Sequence, residues 1–274
     1  MLVVIAIALF VAVWTRWTLR SVARQPLLCR RNYRGEEVIG SAGLAIVGAS
    51  LLGWLLLSWR GELRWQESAL LMATAFWFSV LGLMDDIVGE TQVKGWRGHF
   101  STLLKERRLT MGTVKAIGGG LGALILSAWA ISALGQLGWE RWVLGAVLIA
   151  LSANAVNLLD VRPSRALKGF WLLSLLGIGV TRGDGWLAFV PLWASTLAYA
   201  PDDFRRKAML GDAGANPLGA CFGIWVTLHW SLTAQVLLLL VLIAFHLYAE
   251  RRSLTADIER VALLRWLDRW GVRV

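Results

Sequence analysis

Charged residues are scarce in this chain of 274 residues: Asp, Glu, Lys and Arg together make up 17%, whereas hydrophobic residues make up 57%. The mean hydropathy is +0.59. A soluble domain needs a more highly charged surface, so this composition indicates a membrane protein with several spans. Cysteine is scarce too. Cys29 lies in an arginine-rich loop and Cys221 in an apolar run, which argues against a disulfide framework.

Long hydrophobic runs dominate the chain. A bilayer span takes about 20 apolar residues. On that basis we predict about nine helical spans, at residues 2–19, 39–59, 67–84, 112–134, 141–158, 170–181, 186–200, 217–231 and 233–249. The short sixth and seventh also fit one re-entrant hairpin. The first run lacks a small-residue cleavage site, so we expect a retained span rather than a signal peptide. The predicted fold class is an all-α, polytopic transmembrane helical bundle.

The basic residues are distributed unevenly between the predicted loops. Most of the 28 Lys and Arg residues fall in loops 20–38, 85–115, 159–169 and 201–216 and in the tail from Glu250. Cytoplasmic loops carry such an excess, so we predict an N-terminus outside and a C-terminus inside the inner membrane. The net charge of +10 then reflects topology and attracts anionic headgroups or phosphorylated substrates. No nucleic-acid partner is implied.

The chain divides into a transmembrane domain, residues 1–249, and a cytoplasmic tail, residues 250–274. Apolar residues recur at helical spacing in the tail, at Leu254, Ile258, Val261, Leu264, Leu267 and Trp270. This spacing predicts an amphipathic helix. We expect the helix to lie on the membrane or to dock against the loops, with substrate binding as the alternative.

Two adjacent carboxylates, Asp85 and Asp86, end the third apolar run within the stretch Gly82–Gly89, GLMDDIVG. Ionisable residues at a membrane segment are costly and usually functional. An adjacent pair also repels itself unless a cation is near. The alternative is that the pair only marks the point where a helix emerges into water.

A second carboxylate stretch, NAVNLLD, ends the fifth predicted span. Asn154, Asn157 and Asp160 are spaced by three residues, so they follow one face of a helix. Such a polar stripe usually faces a bundle interior or an aqueous cleft. Hydrogen bonding between helices by the two asparagines is the alternative.

The third stretch is Met209–Gly219, MLGDAGANPLG, in which Gly211 and Gly214 flank Asp212. Glycines let the backbone approach a ligand closely. We expect Pro217 to begin the next helix, with Asn216 as its N-cap, so that free N–H groups face an anion. An ordinary loop with a capping asparagine is the alternative.

Asp85, Asp86, Asp160 and Asp212 therefore lie on loops of one predicted side, near Lys115 and other basic residues. Oxygen ligands suit Mg²⁺, which takes one or two carboxylates plus substrate phosphates. The predicted chemistry is magnesium-assisted phosphoryl transfer. This hypothesis requires the four carboxylates to converge.

These three stretches resemble the polyprenyl-phosphate N-acetylhexosamine-1-phosphate transferase family, also known as the phospho-MurNAc-pentapeptide transferase superfamily. The similarity covers about residues 30–250. Its carriers are the DD pair, the NxxNxxD block and the GDxGxxxLG block. The resemblance implies transfer of a sugar-1-phosphate from a UDP-sugar to a polyprenyl phosphate at the cytoplasmic membrane face, with Mg²⁺, in cell-wall or surface-glycan synthesis. It leaves open assembly as a homodimer.

The resemblance also implies roles for individual residues. Asp212 and Asp86 would hold the metal, and Asp85 and Asp86 would handle the polyprenyl phosphate and its deprotonation. The remaining substrate contacts would come from Lys115, Asn154, Asn157, Asp160, Gly211, Gly214, Asn216, Arg251 and Arg252.

The chain departs from the family pattern in the stretch Ala249–Arg260, which has no histidine where the family has a histidine-rich motif. Arg251 and Arg252 could still clamp a diphosphate there. This departure favours an alternative function, a non-catalytic paralogue that binds polyprenyl phosphate or a lipid-linked sugar. A transporter is disfavoured because no charges at the membrane midplane and no internal repeat are visible. We expect Asp202 and Asp203 to belong to a solvated loop.

Overall fold

The structure, a computed structural model, describes residues 1–31, 35–88, 111–136 and 138–272. It is about 80% helical. The helices of the described residues are α1 (Leu2–Val22), α2 (Gly43–Trp59), α3 (Trp65–Val88), α4 (Met111–Ala133), α5 (Trp139–Leu159), α6 (Arg165–Val180), α7 (Val190–Phe204), α8 (Asp212–His229), α9 (Leu232–Arg251), α10 (Leu254–Arg260) and α11 (Ala262–Arg269). Short 3₁₀ turns precede the hairpin described below and α7.

Five of these helices, α1, α3, α4, α5 and α9, are long and apolar enough to cross a membrane. The prediction of a helical membrane protein is confirmed to that extent. A helix also overlaps each of the other four predicted spans, but α2, α6, α7 and α8 fall short in length or hydropathy. The count of nine spans and the orientation of the termini stay predictions.

A small β-hairpin departs from the all-α prediction. Strand β1 (Cys29–Arg31) pairs antiparallel with strand β2 (Glu37–Ile39). The carbonyl of Ile39 accepts a hydrogen bond from the N–H of Met209 at 2.7 Å, and Ile39 forms a parallel bridge with Ala208. The hairpin thus ties the chain before α2 to the chain before α8, which is a contact between segments far apart in sequence.

Helix α8 is the centre of the bundle. Every residue from Ala213 to Thr227 is buried, as expected for a helix that is apolar on all sides. Glycines let its neighbours approach closely: a Cβ at Gly219 would lie 2.1 Å from the Ser152 carbonyl oxygen of α5. A Cβ at Gly43 of α2 would lie 2.1 Å from the Cα of Gly214. Small residues at helix crossings are the usual solution for tight packing in membrane proteins.

Helix α9 lies at the outside of the bundle against α5. Only Gln235 and Leu242 of its residues are buried, and Leu237, Leu240 and Val241 are 58–63% exposed. A large contiguous apolar surface of this kind is unfavourable in water and favourable in hydrocarbon. Its exposed residues indicate a lipid-facing helix.

Candidate active site

The backbone turn before α8 depends on a glycine. Gly211 has φ +69°, and a Cβ there would lie 2.4 Å from the Gly40 carbonyl oxygen and 2.7 Å from Oδ2 of Asp86. Any other residue would be strained in both conformation and space. The turn directs Asp212, the first residue of α8, toward the end of the bundle that carries Asp160.

Asp86 caps this helix from a distance in sequence. Its Oδ1 accepts the N–H of Asp212 at 3.0 Å, and its Oδ2 accepts the N–H of Ala213 at 3.1 Å. Ser41 donates its hydroxyl to the same Oδ2 at 2.9 Å. Asp86 is only 7% exposed. A carboxylate at a helix N-terminus also interacts favourably with the helix dipole, so Asp86 holds the turn that presents Asp212.

The predicted start of this helix at Pro217 is wrong. Helix α8 begins at Asp212, five residues earlier, because Asp86 supplies the cap that the local sequence lacks. Pro217 has no N–H for the carbonyl of Ala213, its partner four residues before. Ser79 of α3 replaces that missing donor, with its hydroxyl 2.9 Å from the Ala213 oxygen. The helix therefore continues through the proline.

The prediction of Asn216 as the N-cap fails for the same reason. Asn216 lies inside α8, is 4% exposed, and donates its amide to the carbonyl of Asp212 at 2.9 Å. A side chain placed in this way braces the first turn of the helix. The predicted role of Asn216 in substrate binding stays a prediction.

Lys115 joins two carboxylates at the surface of the site. Its ammonium group donates to Oδ2 of Asp212 and lies 3.5 Å from Oδ2 of Asp85. Asn157 donates its amide to the same Asp212 oxygen at 3.3 Å. The side chains of Asp85, Lys115 and Asp212 are 22–26% exposed, so a ligand can reach them. We call these four residues, Asp85, Lys115, Asn157 and Asp212, the Asp212 cluster.

Asp160 lies beside the Asp212 cluster, at the end of α5. Its Oδ2 accepts the N–H of Gly211 at 3.1 Å. Burial raises the pKa of the Asp160 carboxyl well above its usual range, and the negative charges of Asp203 and Asp86 raise it further. The hydrogen bond from Gly211 opposes this rise. Asp160 thus supports the turn at the cost of holding a carboxyl where ionisation is unfavourable.

The structure therefore brings the four predicted carboxylates together. Asp85 contacts Lys115, Lys115 contacts Asp212, and Asp86 and Asp160 accept hydrogen bonds from the backbone of the Asp212 turn. They form two groups with different surroundings. Asp85 and Asp212 are accessible and share a cation, whereas Asp86 and Asp160 hold the turn. The predicted role of Asp86 as a metal ligand stays a prediction.

Other predicted site residues lie apart from the Asp212 cluster. Asn154 is exposed one turn before Asn157, and its side chain makes no hydrogen bond within the described residues. Arg251 and Arg252 are exposed and form no ion pair with a described carboxylate. Gly214 packs against Leu210 and Gly43, so its lack of a side chain serves helix packing.

Sequence analysis missed the α3 residues that seat α8. A Cβ at Gly82 would lie 2.2 Å from the Asp212 carbonyl oxygen, and Ser79 bonds the next carbonyl. Ser79, Gly82 and Asp86 are spaced by three and four residues, so they share one helix face. That small and polar face within an apolar run is the signal that would have identified them.

The prediction of a solvated loop at Asp202 and Asp203 is wrong: both residues lie in the last turn of α7. Asp203 is 6% exposed, and its Oδ2 accepts the N–H of Ser164 at 2.9 Å. Ser164 has φ +70°, an unusual conformation for a residue with a side chain. Asp202 pairs with Arg16 of α1. Both carboxylates therefore have partners that are distant in sequence, which local pattern does not reveal.

The donor chemistry of the Asp212 cluster suits Mg²⁺ that completes its shell with substrate. Two carboxylates and one amide face a single cationic group, and Mg²⁺ is usually bound by one or two carboxylates plus phosphate oxygens. Within the described ranges, no group of three or more His, Cys, Asp or Glu residues is placed to hold a metal. Asp85 and Asp212 thus offer two accessible carboxylates to such an ion.

No protein-family model matches this chain, and no curated protein sequence matches it.

Proposed function

We propose that this protein transfers a sugar-1-phosphate from a UDP-sugar to a polyprenyl phosphate, with Mg²⁺, at the cytoplasmic face of the inner membrane. The observation that carries this proposal is the Asp212 cluster, in which two accessible carboxylates share one ammonium group. Asp212 follows a turn that α3 and the hairpin hold in place. Positioned charges of both signs are what phosphoryl transfer requires of a protein.

Each residue has a part in this proposal. Asp212 would hold Mg²⁺ in preference to Asp86, because the oxygens of Asp86 already accept three hydrogen bonds. The ion would neutralise charge on the transferred phosphoryl group. Lys115 would then turn from the carboxylates to the diphosphate of the donor. Asn157 would keep Asp212 oriented through its amide.

The reaction is a balanced exchange at one phosphorus atom. A phosphate oxygen of the acceptor lipid attacks the phosphorus that carries the sugar, and the bond from that phosphorus to the oxygen bridging to UMP breaks. UMP leaves with that oxygen, and the sugar remains on a lipid-linked diphosphate. If the acceptor phosphate carries a proton, Asp85 is the accessible carboxylate that can accept it.

The membrane setting also supports the proposal. A polyprenyl acceptor is soluble only in the bilayer, and the chain has five helices apolar enough to span one. Most Lys and Arg residues fall in the predicted loops of the same side as Asp85, Asp160 and Asp212, and loops with such an excess are expected to face the cytoplasm, where UDP-sugars are present.

A release assay for UMP tests the proposed function. Purified protein in lipid nanodiscs would be incubated with undecaprenyl phosphate, Mg²⁺ and a panel of UDP-sugars. We expect UMP release from at least one donor, dependent on both the lipid and the metal. Absence of UMP across the panel, from protein that still binds the lipid, would contradict catalysis.

One observation favours a second candidate, a non-catalytic protein that binds polyprenyl phosphate or a lipid-linked sugar. Lys115 already pairs with both Asp212 and Asp85, so these carboxylates have a cationic partner without a metal. Binding of the lipid that is indifferent to Mg²⁺ and to UDP-sugars is the result that this candidate predicts.

A further inference from the structure

The tail helices, α10 and α11, are fastened to the bundle through polar contacts. The guanidinium group of Arg165, at the start of α6, donates to both carboxylate oxygens of Asp268 at 2.6 and 3.0 Å. It also donates to the hydroxyl of Thr255 at 2.9 Å. Arg165 is only 6% exposed. A bidentate pair of this kind, shielded from water, fixes the rotation of α11 about its axis.

Lys168 attaches the end of α11 to the bundle by further hydrogen bonds. Its ammonium group donates to the carbonyls of Leu267, Asp268 and Trp270 at 2.8, 3.0 and 2.7 Å. These are carbonyls that the helix end leaves without helical partners. The side of α11 that faces the protein is therefore its polar side.

The apolar side of α11 faces away from the protein. Leu263, Trp266, Leu267 and Trp270 share one face by their spacing, and they are 65%, 61%, 44% and 59% exposed. A helix docked in water buries its apolar face and exposes its polar face. Here the apolar face is exposed and only Asp268 of the polar face is partly buried, so an apolar medium is expected outside the apolar face of α11.

We propose that this apolar face of α11 lies in the headgroup region of the bilayer. The position of the tail supports lipid as the occupant: α9, a candidate membrane span with an apolar exposed surface, ends at Arg251, and α10 begins at Leu254. The tail thus starts where a span leaves the membrane. Two tryptophans on the outward face fit the interface, where amphipathic rings are enriched.

The cationic residues of the tail agree with this placement. Arg265 lies on the opposite side of α11 from Leu267 and is exposed, so it would meet water or headgroups while Leu267 meets acyl chains. A helix with this division of residues lies in the membrane plane. Because Arg165 directly follows the loop after Asp160, the tail would hold that loop at the membrane surface.

A pair of spin-labelled cysteine variants tests the placement. In a Cys29→Ser background, Leu267→Cys and Arg265→Cys would be labelled in nanodiscs that contain one copy of the full chain. Accessibility to molecular oxygen, which partitions into lipid, is compared with accessibility to a water-soluble nickel chelate. We expect the oxygen-to-nickel ratio to be several-fold higher at position 267 than at position 265.

Equal ratios at the two positions would overturn the proposal. A second copy of the chain is the other occupant to consider: position 267 would then be open to nickel in single-copy discs and shielded only at two copies per disc, which also overturns it. Leu263→Cys, at a still more exposed position on the same face, repeats the test if Leu267→Cys fails to fold. The readout is independent of the proposed transferase activity.

Discussion

Asp85 and Asp86 are neighbours in the chain, yet their carboxylates have different surroundings. Asp86 accepts two backbone N–H groups of α8 and the hydroxyl of Ser41, and it is buried. Asp85 contacts only Lys115 among the described ion pairs and is accessible. One residue therefore supports the fold, and the other is available for chemistry.

Substituting asparagine at each of the two positions distinguishes these roles. Asp86→Asn places an amide against backbone donors and should destabilise the protein by about 1–3 kcal/mol, with a lower melting temperature. Asp85→Asn should change the free energy of unfolding by about 1 kcal/mol or less and reduce turnover at least tenfold. Thermal unfolding in nanodiscs and UMP release measure the two effects. Equal loss of stability in both variants would refute the division of roles.

Asp160 should limit the stability of the native protein. Its raised folded-state pKa means that the native state holds the proton more tightly than the unfolded chain does. Stability from this group is complete below the ordinary Asp pKa of about 4 and is lost as pH rises through the raised folded value. Asn at this position keeps an oxygen acceptor for Gly211 and cannot ionise. The melting temperature of Asp160→Asn should therefore rise relative to that of the parent as pH increases from about 4 to about 8.

The comparison of melting temperatures at each pH reports the Asp160 carboxyl together with its interaction with the charges of Asp203 and Asp86, since the more distant titrations are common to both proteins. Glu250→Gln, which replaces a carboxylate at an exposed position, is the matched control. If the melting-temperature difference between Asp160→Asn and the parent stays constant or decreases as pH rises, the folded protein does not disfavour the ionised carboxyl.

At the scale of elements, α8 and its glycines determine how the bundle closes. Gly219 lets α8 approach α5 so closely that a Cβ would lie 2.1 Å from a backbone oxygen. Gly48 of α2 also lies inside a helix, but a Cβ there would meet nothing within 4 Å. The two glycines thus share the same helical conformation but differ in the space available for a Cβ.

Alanine at these two positions should act in opposite directions. Gly219→Ala forces α8 and α5 apart and should destabilise the protein by about 1–3 kcal/mol. Gly48→Ala removes only the entropic disadvantage of glycine and should be neutral or stabilising by up to about 1 kcal/mol. Denaturation monitored by tryptophan fluorescence or calorimetry measures both. Tolerance of Gly219→Ala would show that the helix crossing is looser than described.

The sequence predicts the existence of the helices better than their ends. Hydrophobic runs locate α1, α3, α4, α5 and α9, because length and hydropathy are local properties. The start of α8 was misplaced at Pro217, since the capping group is Asp86 on another helix and the compensating donor is Ser79. The hairpin and the buried Asp203 were missed for a similar reason: their partners, Met209 and Ser164, are distant in sequence.

The candidate site shows the same limit. The motifs identified Asp85, Lys115, Asn157 and Asp212, all of which the structure joins in one cluster. They did not show that Asp86 caps a helix or that Asn216 lies within one, because those roles depend on the register of α3 against α8. The exposed positions of Arg251 and Arg252 likewise depend on how the tail docks.

At the scale of the whole molecule, three features lie at one end of the bundle: the Asp212 cluster, the hairpin and the tail helices. In the proposed function, the candidate transmembrane helices would contact a lipid acceptor, and the cluster would supply charge for a phosphorylated donor. We expect the function to need both, so that lipid and soluble substrate meet at the membrane surface.

The most direct test of the central claim is magnesium-dependent UMP release by the parent protein and by Asp212→Asn. The substitution removes the charge shared with Lys115 but little packing, so stability should change by about 1 kcal/mol or less. We predict that release falls to the background in Asp212→Asn and is unchanged in the control Asp202→Asn, whose carboxylate pairs with Arg16. Unimpaired UMP release by a folded Asp212→Asn protein would contradict the account.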